Sequence, residues 1–304
     1  MPANIKYRAL LQTVSQGSFT AAAKELQCTQ SAVSRMIADL EAAWGITLLE
    51  RGKSGVRLTP NGQEVLPYVQ RICAAEEGLD ECVDNIKGLV RGRVRIGAFS
   101  SAAALWLPKV IDVFRLDYPN IDYELVLGKD TDLCDQLAQG TLDFALTTTA
   151  ADPKYFKSVC IHRDELVCVY SQYHELSESK DPISAKELLN HSLIGLELSR
   201  LEKTYPVISD KGHIVFRTNN VTVLLSLVEK GLGAAIIPSL LLSRTGFNIL
   251  HRTIVPAKHI DISLTVGRNA VISQSARRFL RYLSQVLQDE LNSSETITSL
   301  LNDK

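Results

Sequence analysis

Residues 21–45, "AAAKELQCTQSAVSRMIADLEAAWG", decide how the first part of this chain folds. Small residues come first, then short hydrogen-bonding side chains with one arginine, then an apolar tail. Val33, Ile37, Leu40 and Trp44 recur at steps of four, three and four, which is the spacing of one buried helix face. Gln30, Ser31, Ser34 and Arg35 stand on the other face at its N-terminal end. Thr29 suits the N-cap, where a short side-chain oxygen satisfies orphan N–H groups. Just upstream, "TAAAKEL" reads as a helix of two turns whose alanines let a neighbour approach closely, with Ser18 or Thr20 as its cap. Two short helices in a tight turn, the second polar at its outer tip, describe a helix-turn-helix, whose second helix enters the major groove N-terminus first. There Gln pairs with adenine, Arg with guanine, and Ser or Thr with bases or phosphates. A solvated helix face would carry the same residues, so the helix pair alone leaves both readings open.

The flanks narrow the choice. Before the pair, Ile5, Ala9, Leu10 and Val14 form an apolar stripe closed by Gly17, a residue that fits a left-handed helix cap. After it, "LLERGKSGVRLTPNG" (48–62) holds two short alternating pieces, 47–50 and 55–58, around a Gly- and Lys-containing turn. That pattern predicts a two-stranded wing. Its cations Arg51, Lys53 and Arg57 suit backbone or minor-groove contact. Thr59 then caps a helix with Pro60 at its first position. This helix spans about 60–89 and carries a seam of Val65, Val69, Ile72, Glu76, Leu79, Val83, Ile86 and Val90 in steps of four and three. A seam of that length predicts pairing with a second helix, with packing onto the chain's own core as the alternative. Glu76 interrupts it, either fixing register or facing solvent.

"FTAAAKELQCTQSAVSRMIADLE" followed by "LLERGKSGVRLTPNG" closely resembles the N-terminal DNA-binding domain of LysR-type transcriptional regulators, over about residues 5–66. Cys28 in the turn and Leu49 before the wing depart from the usual residues. The resemblance implies that Gln30, Ser31, Ser34 and Arg35 face the groove and that Arg51 and Arg57 are wing contacts; the cap Thr29 and the wing cation Lys53 complete the expected DNA-binding set. It implies an all-α winged helix-turn-helix over 1–62 and a linker, or dimerisation, helix over 63–91. It also implies an effector-binding domain over 92–304. There "DYPNIDYELVLGKDTDLCDQLAQGTLDFAL" and "LVEKGLGAAIIP" look like the family's two-lobed α/β domain, itself similar to type 2 periplasmic binding proteins. Lobe 1 is placed at about 93–162 plus 267–304 and lobe 2 at about 163–266. The partners implied are double-stranded DNA, a second copy of the chain through the linker helix, a tetramer of such pairs, and RNA polymerase.

From "GRVRIGAF" onward, strands and helices alternate, which argues for parallel sheet with helices on both faces. The pattern predicts strands at 93–99, 121–127 and 142–147 with helices at 102–117 and 130–139. Further strands are expected near 158–162, 165–170, 193–197, 213–217 and 260–267, with helices near 184–190 and 221–231. "GAAIIP" reads as a strand entering a helix "SLLLSR", and "SQSARRFLRYLSQVLQDEL" as a closing amphipathic helix before a polar, mobile tail. Ligands of such sheets sit at strand carboxyl ends, where helix N-termini favour anions. Three strand-to-helix junctions carry hydroxyls or amides there: Ser100 and Ser101; Thr147, Thr148 and Thr149; Thr218, Asn219 and Asn220. Any one could be an ordinary N-cap, and their coincidence is what suggests a site. Arg200 and Lys203 either add charge from lobe 2 or lie in a solvated loop. The ligand suggested is a small anion or carboxylate, with no cofactor.

The whole chain has 304 residues and a net charge of −1, so any attraction to nucleic acid must be local. Residues 1–62 hold seven basic and four acidic side chains, a mild basic excess. No apolar run reaches membrane-span length and the N-terminus lacks the core of a secretory signal, so a cytoplasmic location is expected. The six cysteines show no C-x-x-C spacing and read as reduced thiols, a Cys160–Cys168 redox switch being the minor alternative. Nucleophile, Walker, zinc and dinucleotide motifs are missing, and the six histidines are scattered, so no enzyme and no metal site is expected. A solute-binding module lacks its export signal, and an α/β enzyme lacks its catalytic constellation. A ligand-responsive transcription regulator fits best.

Overall fold

The computed structural model describes residues 3–52, 55–87, 90–148, 151–196, 212–244, 246–268, 270–288 and 297. Its first element is α1 (Ala3–Gln16), which Gly17 ends with φ +61°. α2 (Phe19–Glu25) follows, capped by Ser18, whose Oγ accepts the Ala21 N–H at 3.4 Å. Gln27 then takes a positive φ of 51° in the turn. α3 (Gln30–Trp44) starts at Thr29, whose hydroxyl accepts the Ala32 N–H at 3.2 Å, and stops at Gly45, which is left-handed. Ala22 and Ala23 are buried against α3 and α1, so close helix approach is what these alanines provide. Val33, Met36, Ile37 and Leu40 form the inner face of α3. Trp44 does not complete that face as the spacing suggested. It sits at the last helical residue, 38 % exposed, with its ring stacked on Tyr7 at 6.0 Å between centroids. Ile5 is likewise at the surface.

The wing is an antiparallel hairpin of β1 (Leu49–Gly52) and β2 (Gly55–Leu58), its first strand two residues later than the sequence pattern indicated and its second as expected. It is tied to the helices at both ends. Glu41 Oε1 accepts the N–H groups of Leu48 and Leu49 (2.7 and 3.2 Å), and Val56 N–H donates to the Gly17 carbonyl at 3.0 Å. Gly55 has φ +107° and lies so close to Gly17 that a Cβ would sit 2.8 Å from its carbonyl oxygen.

α4 (Pro60–Ile86) begins at Thr59, whose Oγ accepts the Gly62 N–H at 2.9 Å. Its seam splits in two. Val69 and Cys73 are buried in the core of the N-terminal head, while Ile72, Leu79, Val83 and Ile86 are exposed. Glu76 neither fixes a seam nor faces solvent alone. Its carboxylate bonds to Asn4 Nδ2 and, at 3.3 Å, to Arg8 Nη2, both on α1. The helix ends three residues earlier than expected, and Val90 packs on the following domain instead of continuing the seam.

The remainder builds one ten-stranded sheet bent into two lobes. β3 (Gly92–Ala98), β4 (Ile121–Leu127) and β5 (Phe144–Thr147) are parallel, with α5 (Ser100–Asp117) and α6 (Asp130–Gln139) between them. β6 (Phe156–Ser171) is a single strand of 16 residues, where two strands were expected around the charged run Arg163–Glu165. That run does not break it. The strand pairs with β12 (His259–Gly267) past this point, Arg163 bonds Asp261 at 2.8 Å, and Asp164 bonds Ser239 Oγ at 2.6 Å. Beyond it lie β7 (Ile183–Ser184), β8 (Ser192–Leu196), β9 (His213–Thr218), α7 (Val221–Glu229), β10 (Ala234–Pro238) and β11 (Ile249–Val255). The sheet order is β4-β3-β5-β12-β6-β10-β8-β9, with β11 on β6 and β7 on β11. The segments expected as helices at 184–190 and 239–244 are 3₁₀ turns, Glu187–Asn190 and Ser239–Arg244. Neither β7 nor β11 was apparent from the sequence.

α8 (Gln274–Val286) closes the chain's first lobe, burying Ala276, Phe279, Leu280 and Leu283 beside Trp106, Phe114 and Phe144. Ile262, Leu264 and Val266 of β12 lie in this same core, whereas Ile254 and Ile260 lie in the second. The second crossover therefore falls near 260–262 and not at 266/267. Ile297 in the tail, expected to be mobile, is fully buried in the first core.

Candidate functional site

Thr29, Gln30, Ser31 and Arg35 are exposed together at the tip of α3, and Ser34 is half-buried beside them. Thr29 Oγ1 and Ser31 Oγ are 3.0 Å apart. Arg35 lies one turn before Asp39, whose carboxyl is held below its ordinary range by a 2.9 Å bond to Lys6 and, secondarily, by the charges of Lys6 and Arg35. Arg51 reaches back from the wing. Its Nη2 donates to Ser34 Oγ at 2.7 Å and its guanidinium lies 4.3 Å from the centre of the Phe19 ring. Arg57 is opposite Glu50 in the hairpin register while Arg51 is opposite Val56, so the two arginines project from opposite faces of the wing. Lys53 lies outside the described residues. Sequence reasoning missed Phe19 and Glu41, the first a platform for Arg51 and the second an anchor for the wing. Neither had a local signal, because their partners lie 32 and seven to eight residues away.

The register places a second site. β5 ends at Thr147 opposite Ser263, which is itself opposite Cys160, and β10 ends at Pro238 opposite Leu166. β3 and β4 are parallel to β5, and β8 and β9 to β10. The carboxyl ends of both sets of strands thus face one another across the crossover strands, forming a cleft between the lobes.

The proposed cleft residues differ in what they present. Ser100 and Ser101 are the first two residues of α5, not residues before it. Ser100 is exposed, and among the described residues no side chain caps the helix at Phe99. Its first-turn N–H groups, which have no intrahelical acceptor in any α-helix, are thus without a side-chain acceptor from the N-cap. Thr147 is fully buried and its hydroxyl is 3.0 Å from that of Thr265, so it belongs to the sheet and not to the cleft surface. Thr148 donates its N–H and, at 2.8 Å, its hydroxyl to Asp130 at the start of α6. Thr218 Oγ1 accepts the Asn220 N–H at 3.1 Å, Asn219 is exposed, and Asn220 caps α7 through Val223 N–H at 3.1 Å. Thr149, Arg200 and Lys203 lie outside the described residues. At the crossover, Asp164 also accepts the Leu240 N–H at 3.1 Å. Burial pushes its carboxyl up, against the pull of the Ser239 and Leu240 bonds. Trp106 of α5 meets His162 edge-on at 5.7 Å.

Cys160 is exposed and Cys168 buried, and burial pushes the Cys168 thiol up to about 12. They lie eight residues apart on one extended strand, about 26 Å, so they cannot bridge. Among the described residues no group of three His, Cys, Asp or Glu side chains is arranged to hold a metal, and no helix is long and apolar enough to cross a membrane.

Comparison with known proteins gives two family matches: a bacterial regulatory helix-turn-helix protein of the lysR family over residues 6–63, and a LysR substrate binding domain over residues 87–288. A probable HTH-type transcriptional regulator, LrrA, from Synechococcus elongatus is 31 % identical over 236 residues, covering 76 % of this chain and 79 % of that protein. An uncharacterised HTH-type regulator, YvbU, from Bacillus subtilis is 25 % identical, covering 93 % and 98 %. Among solved structures, a full-length OxyR variant from Pseudomonas aeruginosa superposes with a TM-score of 0.75 at 18 % identity, covering 95 % and 98 %. The LysR-family regulator CbnR, in complex with its target DNA, gives 0.67 at 18 % identity, covering 94 % and 100 %.

Proposed function

The chain belongs to the LysR family of transcriptional regulators, and from that premise we propose that it reads a two-part operator as a dimer, under control of a small anionic effector. The family consists of regulators rather than enzymes, with a helix-turn-helix that binds DNA and a two-lobed domain for an effector. What remains is how this chain's residues divide that work. We assign 1–62 to the head, 63–91 to the linker and 92–304 to the effector domain.

The observation that carries the DNA reading is the exposed cluster Thr29, Gln30, Ser31 and Arg35 at a helix tip, backed by the Ser34–Arg51 bond. We assign Gln30 and Arg35 to base edges. We assign Arg51 and Arg57, on opposite faces of the wing, to phosphates, with Lys53 between them in sequence. The exposed stripe Ile72, Leu79, Val83 and Ile86 on α4 is the surface that a second copy would cover, placing two heads on one duplex face. We further propose a dimer of dimers, an encounter with RNA polymerase, and residence in the cytoplasm beside the chromosome.

The effector reading rests on the uncapped N-terminus of α5 facing the cleft. Backbone N–H groups there and the Ser100 and Ser101 hydroxyls suit a carboxylate. Asn219 and Thr218 approach from lobe 2. Thr147 is withdrawn because it is buried in the sheet, and Thr148 already donates to Asp130. An effector that binds one lobe arrangement more tightly than another shifts the population of that arrangement.

The test of the DNA reading uses a duplex selected by the purified chain from a random pool. Arg35→Ala should weaken binding to that duplex by about 1–3 kcal/mol while leaving binding to unrelated duplex nearly unchanged. Equal loss on both duplexes would reassign Arg35 to the phosphate backbone, and no loss would remove it from the interface.

A further inference from the structure

The C-terminal half of α4 is two-faced. Leu79, Val83 and Ile86 point outward, whereas Glu77, Glu81, Asp84 and Asn85, at steps of four, three and one, face lobe 1. Each of these four side chains makes a hydrogen bond or an ion pair. Glu77 bonds Arg95 of β3, Asp84 bonds Arg91 at 2.6 Å, and Asn85 Oδ1 accepts from Arg278 of α8 at 3.0 Å. Glu81 is buried, and its Oε1 accepts the backbone N–H of Ser275 in the first turn of α8. The seat is tight: a Cβ on Gly92 would lie 2.5 Å from Ser275 Oγ and 3.0 Å from the Glu81 carboxyl carbon. Next to it, a groove of about 990 Å³ runs between α4 and lobe 1, past Ala74, Gly78, Arg93, Leu142, Tyr155 and Val271. The helix is thus held along a polar line with open space alongside, not bedded in an apolar core.

We propose that this polar line is the coupling joint of the molecule and that Glu81 is its positioning residue. α8 is part of the core of lobe 1 through Ala276, Phe279, Leu280 and Leu283. A shift of lobe 1 carries the first turn of α8 with it, and Glu81 hands that displacement to α4 and so to the head. A carboxylate at a helix N-terminus is favourably placed, and its bond is directional. The partly exposed pairs Glu77–Arg95 and Asp84–Arg91 are screened by salt, so the joint loosens with ionic strength while the apolar cores on either side do not. The biological consequence rests on the regulator reading, but the joint itself does not, and it is tested without DNA or effector.

The experiment uses the full chain. Hydrogen exchange of the peptide spanning 273–279 and small-angle scattering are recorded at low and high salt, with association state followed by light scattering. Glu81→Ala should speed exchange at the start of α8 by about tenfold, since a charge-assisted bond is lost. It should also shift the low-salt scattering curve toward the one that the parent gives in high salt. Glu81→Gln keeps an acceptor oxygen and should stay close to the parent in both. Asn85→Ala with Arg278→Ala, which leaves the buried carboxylate alone, should move the scattering in the same direction and covers the case in which Glu81→Ala does not fold. Scattering that is the same in all variants and at both salts overturns the proposal. So does faster exchange without a change in scattering, because Glu81 would then cap α8 and nothing more.

Discussion

Arg51 reads in the sequence as one of three equivalent wing cations, and the structure makes it singular. It spans from β1 to α3, bonded to Ser34 and stacked over Phe19, so its charge is held beside the helix tip instead of trailing in solvent. Arg51→Ala should reduce the slope of log affinity against log salt by about 0.9, one phosphate contact. Ser34→Ala, which frees the guanidinium without removing it, should weaken binding with the slope kept. An unchanged slope for Arg51→Ala would place that side chain off the backbone. In lobe 2, His174 Nδ1 accepts the Leu176 N–H at 3.2 Å, with the His191 ring 5.3 Å away. Burial first, then His191, hold the His174 pKa below 6.5, with Glu175 pulling the other way. The folded chain then binds fewer protons at this site than the unfolded one, so the stability it contributes is present at pH 7, begins to be lost below 6.5 and goes on being lost as pH falls through the lower folded pKa. The melting temperature of the parent should drop more steeply between pH 7 and pH 5 than that of His174→Asn, which keeps a capping acceptor. Parallel profiles would contradict this.

At the scale of elements, α4 carries the heaviest argument. Leu79→Glu with Ile86→Glu should convert the oligomer to monomer in light scattering while circular dichroism stays at the parent level, because these side chains are exposed within one chain and touch no core. An oligomer of undiminished mass would place the partner elsewhere. The seam shows what a periodic pattern can and cannot convey. Its apolar positions were legible, but which of them turn inward depends on where the head ends, and that is a tertiary fact. Glu76 looked like a flaw in the seam because Asn4 and Arg8 are some seventy residues away. β6 was read as two strands, 158–162 and 165–170, with the charged pair Arg163 and Asp164 in the gap, and only their partners Asp261 and Ser239 offset the cost of those charges in mid-sheet. The helix tip and its caps Ser18, Thr29 and Thr59 were legible because capping is local chemistry.

At the scale of the molecule, a head that binds DNA is joined by a polar seat to a two-lobed body whose cleft offers an uncapped helix end. The cleft was half legible. Its location follows from strand alternation, but burial withdrew Thr147, and Asp130, three residues into a loop-and-helix start, took up Thr148. Ser101→Asp would put a carboxylate against the first turn of α5. A panel of small carboxylates that raises the melting temperature of the parent should then leave the variant unmoved, and equal shifts in both would take the anion away from α5. The central claim is that the tip of α3 enters the major groove in two copies. Guanine N7 methylation interference on the selected duplex tests it most directly. The account predicts that binding is blocked by methylation in two clusters about one helical turn or a multiple of it apart, related by a two-fold, and that Arg35→Ala removes the sensitivity at a guanine in each cluster. Binding that tolerates N7 methylation throughout, yet is abolished by a minor-groove ligand, would contradict it.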